Sequence, residues 1–331
     1  MKRSIQFAVQ FSWCLAMAVC FFLYGHLHAS SDRSIPDGVV CNLSFPQSAS
    51  PNINTVYIPF TLVGQLIMVE ARVDTVSGNF IVDTGAERLV INKNHYEPGL
   101  QSLPVVSAGN TGFVQSVVGR NIDSLKLELL VIKNLFAHFL DLGHIELKKN
   151  TRIAGILGYD VFKDFELFID FPERRIVLFR LDKQGNRIDQ QTRWEVSADS
   201  LDFVLRKHLI HVVTEINHVK VKMILDSGAE LNLIDRHVNR KVLDNFTIIK
   251  RVNLIGIGQR EVEVLAGVLK DVHCGHQYEE KMNTLMTSLD AFNDGLGAQA
   301  DGVLGYEFLK SRRTLINYKT HKIYFFNPVR P

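Results

Sequence analysis

The sequence predicts an all-β protein built from two homologous lobes. Three observations support this: a motif that occurs twice, a longer register of similarity around both copies, and many short apolar or alternating runs separated by turn residues. Only short helices are expected, one after each Leu-Gly-Tyr at residues 157–159 and 304–306 and one within residues 281–292. With 331 residues, 46% of them hydrophobic, the chain is long enough for two cores of ordinary size.

The repeated motif reads Asp-Thr-Gly-Ala-Glu at residues 83–87 and Asp-Ser-Gly-Ala-Glu at residues 226–230. Each copy lies between two apolar, strand-like runs. Further along, Gly-apolar-Leu-Gly-Tyr-acidic occurs at residues 155–160 and again at residues 302–307. Because the order, the spacing and the strand pattern that follows all agree, the sequence indicates that a whole lobe has been duplicated.

The patterns divide the chain into five segments: a signal peptide at residues 1–29, an N-terminal arm at 30–54, a first lobe at 55–180, a polar linker at 181–200 and a second lobe at 201–331. The N-terminal segment has a basic start, an apolar core shorter than a membrane span and the small residue Ala29 for cleavage. We therefore expect export through the secretory pathway to a periplasmic or extracellular location. An uncleaved membrane anchor is the alternative.

Cysteine usage leaves one question open. Export would remove Cys14 and Cys20 and leave Cys41 and Cys274 in an oxidising compartment. A disulfide between the latter two stays open, because sequence does not supply the geometry. The run His-Cys-Gly-His at residues 273–276 matches no common zinc spacing and is interpreted as part of a surface hairpin. No metal site and no cofactor are expected.

The chemistry of paired carboxylates explains the repeated motif. Two carboxyl groups held against one water share a proton, so that one acts as a base while the other donates to a carbonyl oxygen. Asp83 and Asp226 are the candidate catalytic pair. Gly85 and Gly228 allow a tight turn beside each carboxylate and bring a backbone N–H close to it.

These residues resemble the retroviral-protease-like (retropepsin-like) aspartic peptidases, here in a two-lobed, single-chain form. That family carries apolar-apolar-Asp-Thr/Ser-Gly-Ala-Asp/Glu in each lobe, followed by an apolar-apolar-Gly strand, which ends here at Gly158 and Gly305. The resemblance covers residues 55–180 and 200–327. It implies the bilobal acid-protease fold, with two β-barrel-like lobes and the active site between them. One chain supplies both aspartates, so dimerisation is not required for activity.

The residues beside the aspartates extend the prediction. The hydroxyls of Thr84 and Ser227 can bond across to the opposite loop and fix the separation of the two halves. Ala86 and Ala229 occupy a place where a Ser or Thr of such a peptidase can donate a hydrogen bond to the carboxylate. Without that donor, we expect apparent pKa values of the aspartate pair on the higher side and activity at pH of about 5–6.

The resemblance also implies hairpin flaps that close over bound peptide. The candidates carry glycine at the tip, Gly109 and Gly112 in the first lobe and Gly256 and Gly258 in the second. An ordinary hairpin turn is the alternative for each. No tyrosine lies in residues 100–158, which favours the retroviral over the pepsin-like pattern.

Two glutamates are candidate substrate contacts by the same resemblance. They are Glu87 and Glu230, which end the two motifs. The alternative is a structural ion pair with an arginine such as Arg88 or Arg175.

The sequence thus predicts an exported aspartic endopeptidase that cuts an extended peptide or protein between its lobes. The alternatives are a catalytically inactive peptide-binding module on the same fold and a structural β-sandwich for adhesion. The formal net charge of +2 is too small to indicate a nucleic acid or an anionic membrane as partner. No stable membrane span is expected after signal cleavage.

Overall fold

The computed structural model describes residues 54–97, 103–108, 114–189, 199–255 and 261–326. In this part of the chain strands dominate and form three sheets, two of which close into barrels while the third joins them. The predicted all-β, bilobal fold is therefore confirmed. The predicted signal peptide and the arm up to residue 53 lie outside the described residues.

The first half of the described chain supplies strands β1 to β11 and two short helices. Its elements are β1 (Thr55–Pro59), β2 (Thr61–Val63), β3 (Leu66–Val73), β4 (Val76–Val82), β5 (Leu89–Asn92), β6 (Leu103–Ala108), β7 (Val114–Leu127), β8 (Leu130–Leu140), α1 (Gly143–Lys149), β9 (Gly155–Leu157), α2 (Tyr159–Phe162), β10 (Phe165–Asp170) and β11 (Arg175–Arg180).

The second half repeats this order with one added helix, α3. Its elements are β12 (Asp199–Asp202), β13 (Val204–Arg206), β14 (Leu209–Ile216), β15 (Val219–Leu225), β16 (Asn232–Asp235), α3 (Arg240–Leu243), β17 (Phe246–Ile255), β18 (Glu261–Cys274), β19 (Gln277–Thr287), α4 (Asp290–Leu296), β20 (Gly302–Leu304), α5 (Tyr306–Leu309), β21 (Arg313–Asn317) and β22 (Lys322–Phe326). The duplication read from the sequence therefore extends to the element order.

The first barrel is formed by β3, β4, β9, β5, β8 and β7, in that order around the barrel. It closes where β3 pairs with β7, with Arg72 opposite Lys126. Buried and exposed residues alternate in this part of β3, as expected of a strand with one face toward the core: Ala71 and Val73 are buried, while Glu70 and Arg72 are exposed. Strand β9 runs parallel to β4 on one side and antiparallel to β5 on the other. Because β9 lies between β4 and β5, it holds the end of β4, which leads into the first motif.

The second barrel has the same construction from β14, β15, β20, β16, β19 and β18. It closes where Glu215 of β14 lies opposite His273 of β18. Strand β20 is again parallel to one neighbour, β15, and antiparallel to the other, β16. The end of β15, which leads into the second motif, is thus held as the end of β4 is.

A six-stranded sheet joins the barrels in the order β1, β11, β10, β21, β22, β12. Each half of the chain gives three strands, and the halves meet where β10 pairs antiparallel with β21, with Phe168 opposite Leu315. Phe168 packs with Val177, Phe179 and Phe326 in an apolar cluster drawn from both halves. Burial of this apolar surface holds the lobes together.

Two of the three predicted helices are confirmed. Helices α2 and α5 follow the two Leu-Gly-Tyr runs. The helix expected within residues 281–292 is wrong, because β19 continues to Thr287 and α4 begins only at Asp290. Burial alternates from one residue to the next here, which favours a strand over a helix: Met282 and Thr284 are buried, while Lys281 and Asn283 are exposed.

Two hairpin predictions are confirmed. The turn between β3 and β4 begins at Asp74, which has a φ of 49° and accepts hydrogen bonds from the backbone N–H groups of Asp123 and Ser124. Residues 273–276 lie where β18 turns into β19, with Gly275 at a φ of 60°. Cys274 is buried and unbonded, and its candidate partner Cys41 lies outside the described residues.

The predicted linker is described as far as residue 189. Leu181 forms an isolated bridge with Arg187, and Asp189 accepts a hydrogen bond from the hydroxyl of Thr55. Residues 190–198 lie outside the described part, and β12 begins at Asp199. The segment boundaries stay predictions. No helix of the described residues has both the length and the apolar character that a membrane crossing needs.

Candidate active site

The two motif aspartates stand at equivalent strand ends. Asp83 follows β4, and its backbone N–H donates to the carbonyl oxygen of Leu157 in β9 at 3.0 Å. Asp226 follows β15, and its N–H donates to the carbonyl oxygen of Leu304 in β20 at 2.9 Å. Strands β9 and β20 therefore hold the starts of two equivalent loops. Residues 83–87 and 226–230 are called the aspartate loops below.

The structure brings the two carboxylates together. The backbone N–H of Gly85 donates to Oδ1 of Asp83 at 2.8 Å and to Oδ1 of Asp226 at 3.0 Å. Oδ1 of Asp83 also accepts from the N–H of Ala86 at 3.0 Å, and Oδ1 of Asp226 accepts from Gly228 at 2.8 Å. The aspartates are only 4% and 1% exposed. A single backbone donor thus bridges two buried carboxyl groups from different lobes.

Burial raises the pKa of both aspartates, and the charge of Asp226 raises the pKa of Asp83 further. For Asp83 the largest cause is burial, followed by the charge of Asp226, and these outweigh the backbone donors that favour the charged form. For Asp226 burial again raises the pKa, opposed by hydrogen bonds from Asp83, Gly228 and Gly85. The pair therefore holds one proton over a range in which an isolated aspartate would have lost it.

Gly85 and Gly228 have to be glycine because the carboxyl group of the opposite loop lies close to each of them. A Cβ on Gly85 would stand 2.5 Å from Oδ2 of Asp226. A Cβ on Gly228 would contact Cγ of Asp83. Each carboxyl group therefore packs directly on the glycine of the opposite loop, and no larger residue fits without moving it.

Reciprocal hydrogen bonds tie the loops across the lobes. The N–H of Thr84 donates to Oγ of Ser227 at 3.1 Å, and the N–H of Ser227 donates to Oγ1 of Thr84 at 3.0 Å. Each hydroxyl then donates to a carbonyl oxygen of the opposite strand end, Ser227 to Val82 at 2.9 Å and Thr84 to Leu225 at 3.4 Å. All four groups are buried, so the spacing of the lobes at the carboxylates is fixed by satisfied polar pairs.

The second anchor of each repeat lies behind its aspartate loop. A Cβ on Gly158 would stand 2.7 Å from the carbonyl oxygen of Ala86, and one on Gly305 would contact the carbonyl oxygen of Ala229. The residues that follow, Tyr159 and Tyr306, donate their N–H groups to the same two carbonyls at 2.8 Å. Ala86 and Ala229 are buried and offer the carboxylates no side-chain donor.

The glutamates that end the motifs lie in ion pairs. Glu230 is 4% exposed and pairs with Lys149 at the end of α1, and its Oε1 also accepts from the N–H of Gln65 at 3.3 Å. This arrangement favours the structural ion pair over a substrate contact at Glu230. Glu87 is half-buried and lies 3.2 Å from Arg88. Burial raises the pKa of Glu87, and the Arg88 charge opposes that shift.

Arg175, the other arginine considered for these glutamates, lies elsewhere. Its guanidinium pairs with Asp170 at 3.2 Å, within the hairpin of β10 and β11. Arg88 is shared between Glu87 and Asp160, at 3.0 Å from the latter. The first-lobe pair is therefore local, whereas the second-lobe pair crosses between lobes.

The candidate flap glycines lie outside the described residues. Gly109 and Gly112 belong to residues 109–113, between the paired strands β6 and β7, and Gly256 and Gly258 belong to residues 256–260, between β17 and β18. The strands that lead to both tips form antiparallel hairpins. The flap role stays a prediction.

Two turn residues at the site were missed by sequence reasoning. Gln65, between β2 and β3, donates from Nε2 to Oε1 of Glu307 at 3.2 Å. His208, between β13 and β14, has its Nε2 at 3.0 Å from the carbonyl oxygen of Gly85. Each reaches the opposite lobe. Both lie equally far before their aspartates in the repeat, and that shared register is the signal that could have identified them.

Among the residues that the structure describes, one group of side chains has the donor geometry for a metal ion. Asp235, His237 and Asp290 each offer an atom, all within 4.8 Å of one another. Nδ1 of His237 lies 3.2 Å from Oδ1 of Asp235 and 3.6 Å from Oδ1 of Asp290. None of the three belongs to an aspartate loop. His237 and Asp290 are exposed, and the contacts of the imidazole with the two carboxylates account for the cluster.

Comparisons with known proteins agree with this geometry. Residues 69–161 match the aspartyl protease family model, which spans the first aspartate loop and Gly158. The fold matches a solved aspartic proteinase from Irpex lacteus with a TM-score of 0.53 and 10% identity, over 83% of this chain and 98% of that one. It also matches the crystal structure of edgp with a TM-score of 0.53 and 9% identity, over 85% and 97%. A comparison with curated protein sequences gave no significant match.

Proposed function

We propose that this chain, whose fold is that of the aspartic proteinases and whose first lobe matches the aspartyl protease family, is an aspartic endopeptidase. It hydrolyses peptide bonds with a water molecule activated by Asp83 and Asp226. The observation that carries the proposal is the N–H of Gly85, which donates to Oδ1 of both buried carboxyl groups. Two acids so placed can act as base and acid on one water.

The reaction uses the shared proton of the pair. The ionised carboxylate takes a proton from the water as the water oxygen attacks the carbonyl carbon, and the protonated carboxyl group donates its proton to the carbonyl oxygen. The tetrahedral intermediate then breaks its C–N bond. The amine leaves with a proton from the carboxyl group that received one from water, and the proton on the oxygen returns to the other carboxylate. The pair therefore ends with one proton, as it began.

A single chain is sufficient for this site. Each lobe supplies one aspartate, and the hydrogen bonds between Thr84 and Ser227 hold the two loops in register within one molecule. The substrate is a peptide or protein in extended form, lying between the lobes.

We also propose that the protein is exported. The support is the N-terminal segment, with its basic start and short apolar core. The proposal predicts that protein recovered from the periplasm or the medium begins near residue 30. N-terminal sequencing checks this, and a retained N-terminus in the membrane fraction would favour the anchor instead.

The test of the peptidase proposal is digestion of a peptide library between pH 3 and pH 8. The wild-type protein should cut peptides, a statine-type mimic of the tetrahedral intermediate should inhibit it, and Asp83→Asn and Asp226→Asn should each lose at least about 10³-fold in kcat. Asp164→Asn, a solvent-exposed carboxylate outside the loops, is the matched control and should keep full activity. If wild-type protein binds the mimic but cleaves nothing, it is a binding module instead.

A further inference from the structure

The turn between β13 and β14 places a histidine of the second lobe against the aspartate loop of the first. His208 is 1% exposed, and its Nε2 lies 3.0 Å from the carbonyl oxygen of Gly85. A carbonyl oxygen only accepts hydrogen bonds, so Nε2 carries the proton and donates it. The imidazole therefore binds the loop through one defined tautomer.

The imidazole is neutral at the pH where the site works. Burial lowers the pKa of His208 to about 4, and the bond to Gly85 opposes that shift. The charged groups facing it are Lys207, Arg88 and Asp160. Its Nδ1 is buried and accepts no hydrogen bond from the described residues. The side chain is thus committed to a single hydrogen bond, the one to the loop.

That hydrogen bond ends on the peptide unit that faces Asp83. The carbonyl of Gly85 and the N–H of Ala86 belong to one planar peptide group. The oxygen of this group accepts from His208, and the N–H donates to Oδ1 of Asp83 at 3.0 Å. A donor on the oxygen fixes the plane of the peptide and polarises its N–H toward the carboxylate.

The second lobe treats its own loop differently. The N–H of each alanine donates to the backbone oxygen of its own aspartate, at 3.3 Å for Ala86 and 3.4 Å for Ala229. In the described residues Ala86 also reaches the side chain of Asp83, and Ala229 has no such bond to Asp226. Gln65, the counterpart of His208 in the repeat, directs its hydrogen bonds to the side chains of Glu230 and Glu307. The two carboxyl groups are therefore supported asymmetrically.

We propose that His208 is a positioning residue, which orients Asp83 through the Gly85–Ala86 peptide group and makes the aspartate pair asymmetric. This inference rests on the proposed peptidase function for its kinetic test. It assigns to the second lobe a direct part in the geometry of the first-lobe carboxylate. His208 itself does not touch the reacting atoms.

The test compares His208→Gln with His208→Asn. The amide nitrogen of Gln stands where Nε2 of His does and can still donate to Gly85, whereas that of Asn stands at the Nδ1 position and falls short. We expect the Gln variant to keep kcat within about threefold and the Asn variant to lose about tenfold to a hundredfold, with little change in KM. Both are buried amides, so a general cost of removing the imidazole is common to the pair.

The pH profile separates positioning from a loss of structure. The Ala86 N–H favours the charged form of Asp83, so weakening it raises the pKa of Asp83. The alkaline limb of the rate profile should therefore move to higher pH in His208→Asn and stay in place in His208→Gln. His211, also buried and also with a pKa lowered to about 4, is the control, and His211→Asn should leave the alkaline limb unmoved.

A second measurement does not depend on turnover. In protein labelled with ¹⁵N-alanine, the amide proton of Ala86 should move upfield in His208→Asn but not in His208→Gln. If the wild-type protein cleaves nothing, the peptidase proposal fails and this shift still decides the role of His208. Equal kinetics and equal Ala86 shifts in the Gln and Asn variants would overturn the inference.

Discussion

Single residues at the centre of the site are constrained from both lobes at once. Gly85 illustrates this, because its N–H serves both aspartates while its missing side chain makes room for Oδ2 of Asp226. The residue thus has two separate reasons to be glycine. Gly228 shares only the second reason: its missing side chain makes room for the carboxyl group of Asp83, while its N–H donates to Asp226.

Gly85→Ala should lower both activity and stability. The added Cβ stands 2.5 Å from Oδ2 of Asp226, so the carboxyl groups must separate or the loop must shift. We expect a loss of at least about a hundredfold in kcat and about 1–3 kcal/mol in the free energy of unfolding. Gly297→Ala is the control, since its Cβ meets nothing within 4 Å and only the φ of 64° costs about 1 kcal/mol. Full activity in Gly85→Ala would contradict this packing argument.

Ala86 and Ala229 set the expected pH range. Because both carboxyl groups have raised pKa values and neither alanine offers a hydroxyl donor, we expect a rate maximum at pH of about 5–6. Ala86→Ser adds a donor that favours the charged carboxylate, which lowers its pKa and shifts the profile toward acid. A pH–rate profile of each protein checks this. A wild-type maximum near pH 2–3 would show that the alanines do not act in this way.

At the scale of elements, helix α1 joins the lobes through its last residue. Lys149 pairs with Glu230, whose carboxylate is almost fully buried and also accepts from Gln65. Removing one partner leaves a buried charge without its counterpart, which costs more than an exposed pair is worth. The Lys149–Glu230 ion pair is therefore a structural contact between the lobes, and it holds the last residue of the second aspartate loop.

Lys149→Met should destabilise the protein by about 3 kcal/mol. Adding Glu230→Gln to it removes the orphaned charge and should recover part of that loss. Urea unfolding of the two single variants and the double variant measures the coupling. Lys281→Met breaks the exposed pair with Glu280 and should change stability by less than about 1 kcal/mol. Equal costs at the two sites would refute the distinction.

Near the lobe ends, the sequence predicts the presence of an element more easily than whether that element is a helix or a strand. The repeat and the strand periodicity predicted two strand-rich lobes, and the Leu-Gly-Tyr runs predicted α2 and α5. The strand period of β19 is hard to read from sequence, because Leu285 is buried next to Thr284 and the alternation of Met282, Asn283 and Thr284 is therefore short. Contacts such as His208 with Gly85 depend on how two distant turns meet, which local sequence does not encode.

At the scale of the whole molecule, the six-stranded sheet makes one body of two repeats. Strands β10 and β21 pair at its centre, and the aromatic cluster around Phe168 draws on both halves. The sheet therefore joins the two lobes within one chain, whereas a two-subunit arrangement would need contacts between chains. Resemblance of the motifs predicted this bilobal form, and the central pairing supplies the means by which the lobes stay together.

Activity should not depend on self-association. Specific activity measured from micromolar to low nanomolar protein should stay constant, because both aspartates belong to one molecule. Sedimentation at the same concentrations gives the oligomeric state for comparison. A fall in specific activity on dilution, in step with dissociation, would show that a second chain completes the site.

The unlike turns at Gln65 and His208 make the two halves of the proposed active site unequal. Two identical halves would treat a peptide strand and its reversal alike. Here the first aspartate loop accepts from the imidazole of His208, while the second accepts from the backbone N–H of Gln65, whose carboxamide donates to Glu307 of α5. Because His208 is buried, this difference can reach a bound peptide only through the positions of Asp83 and Asp226, so the proposed site is unequal toward the two directions of a peptide strand.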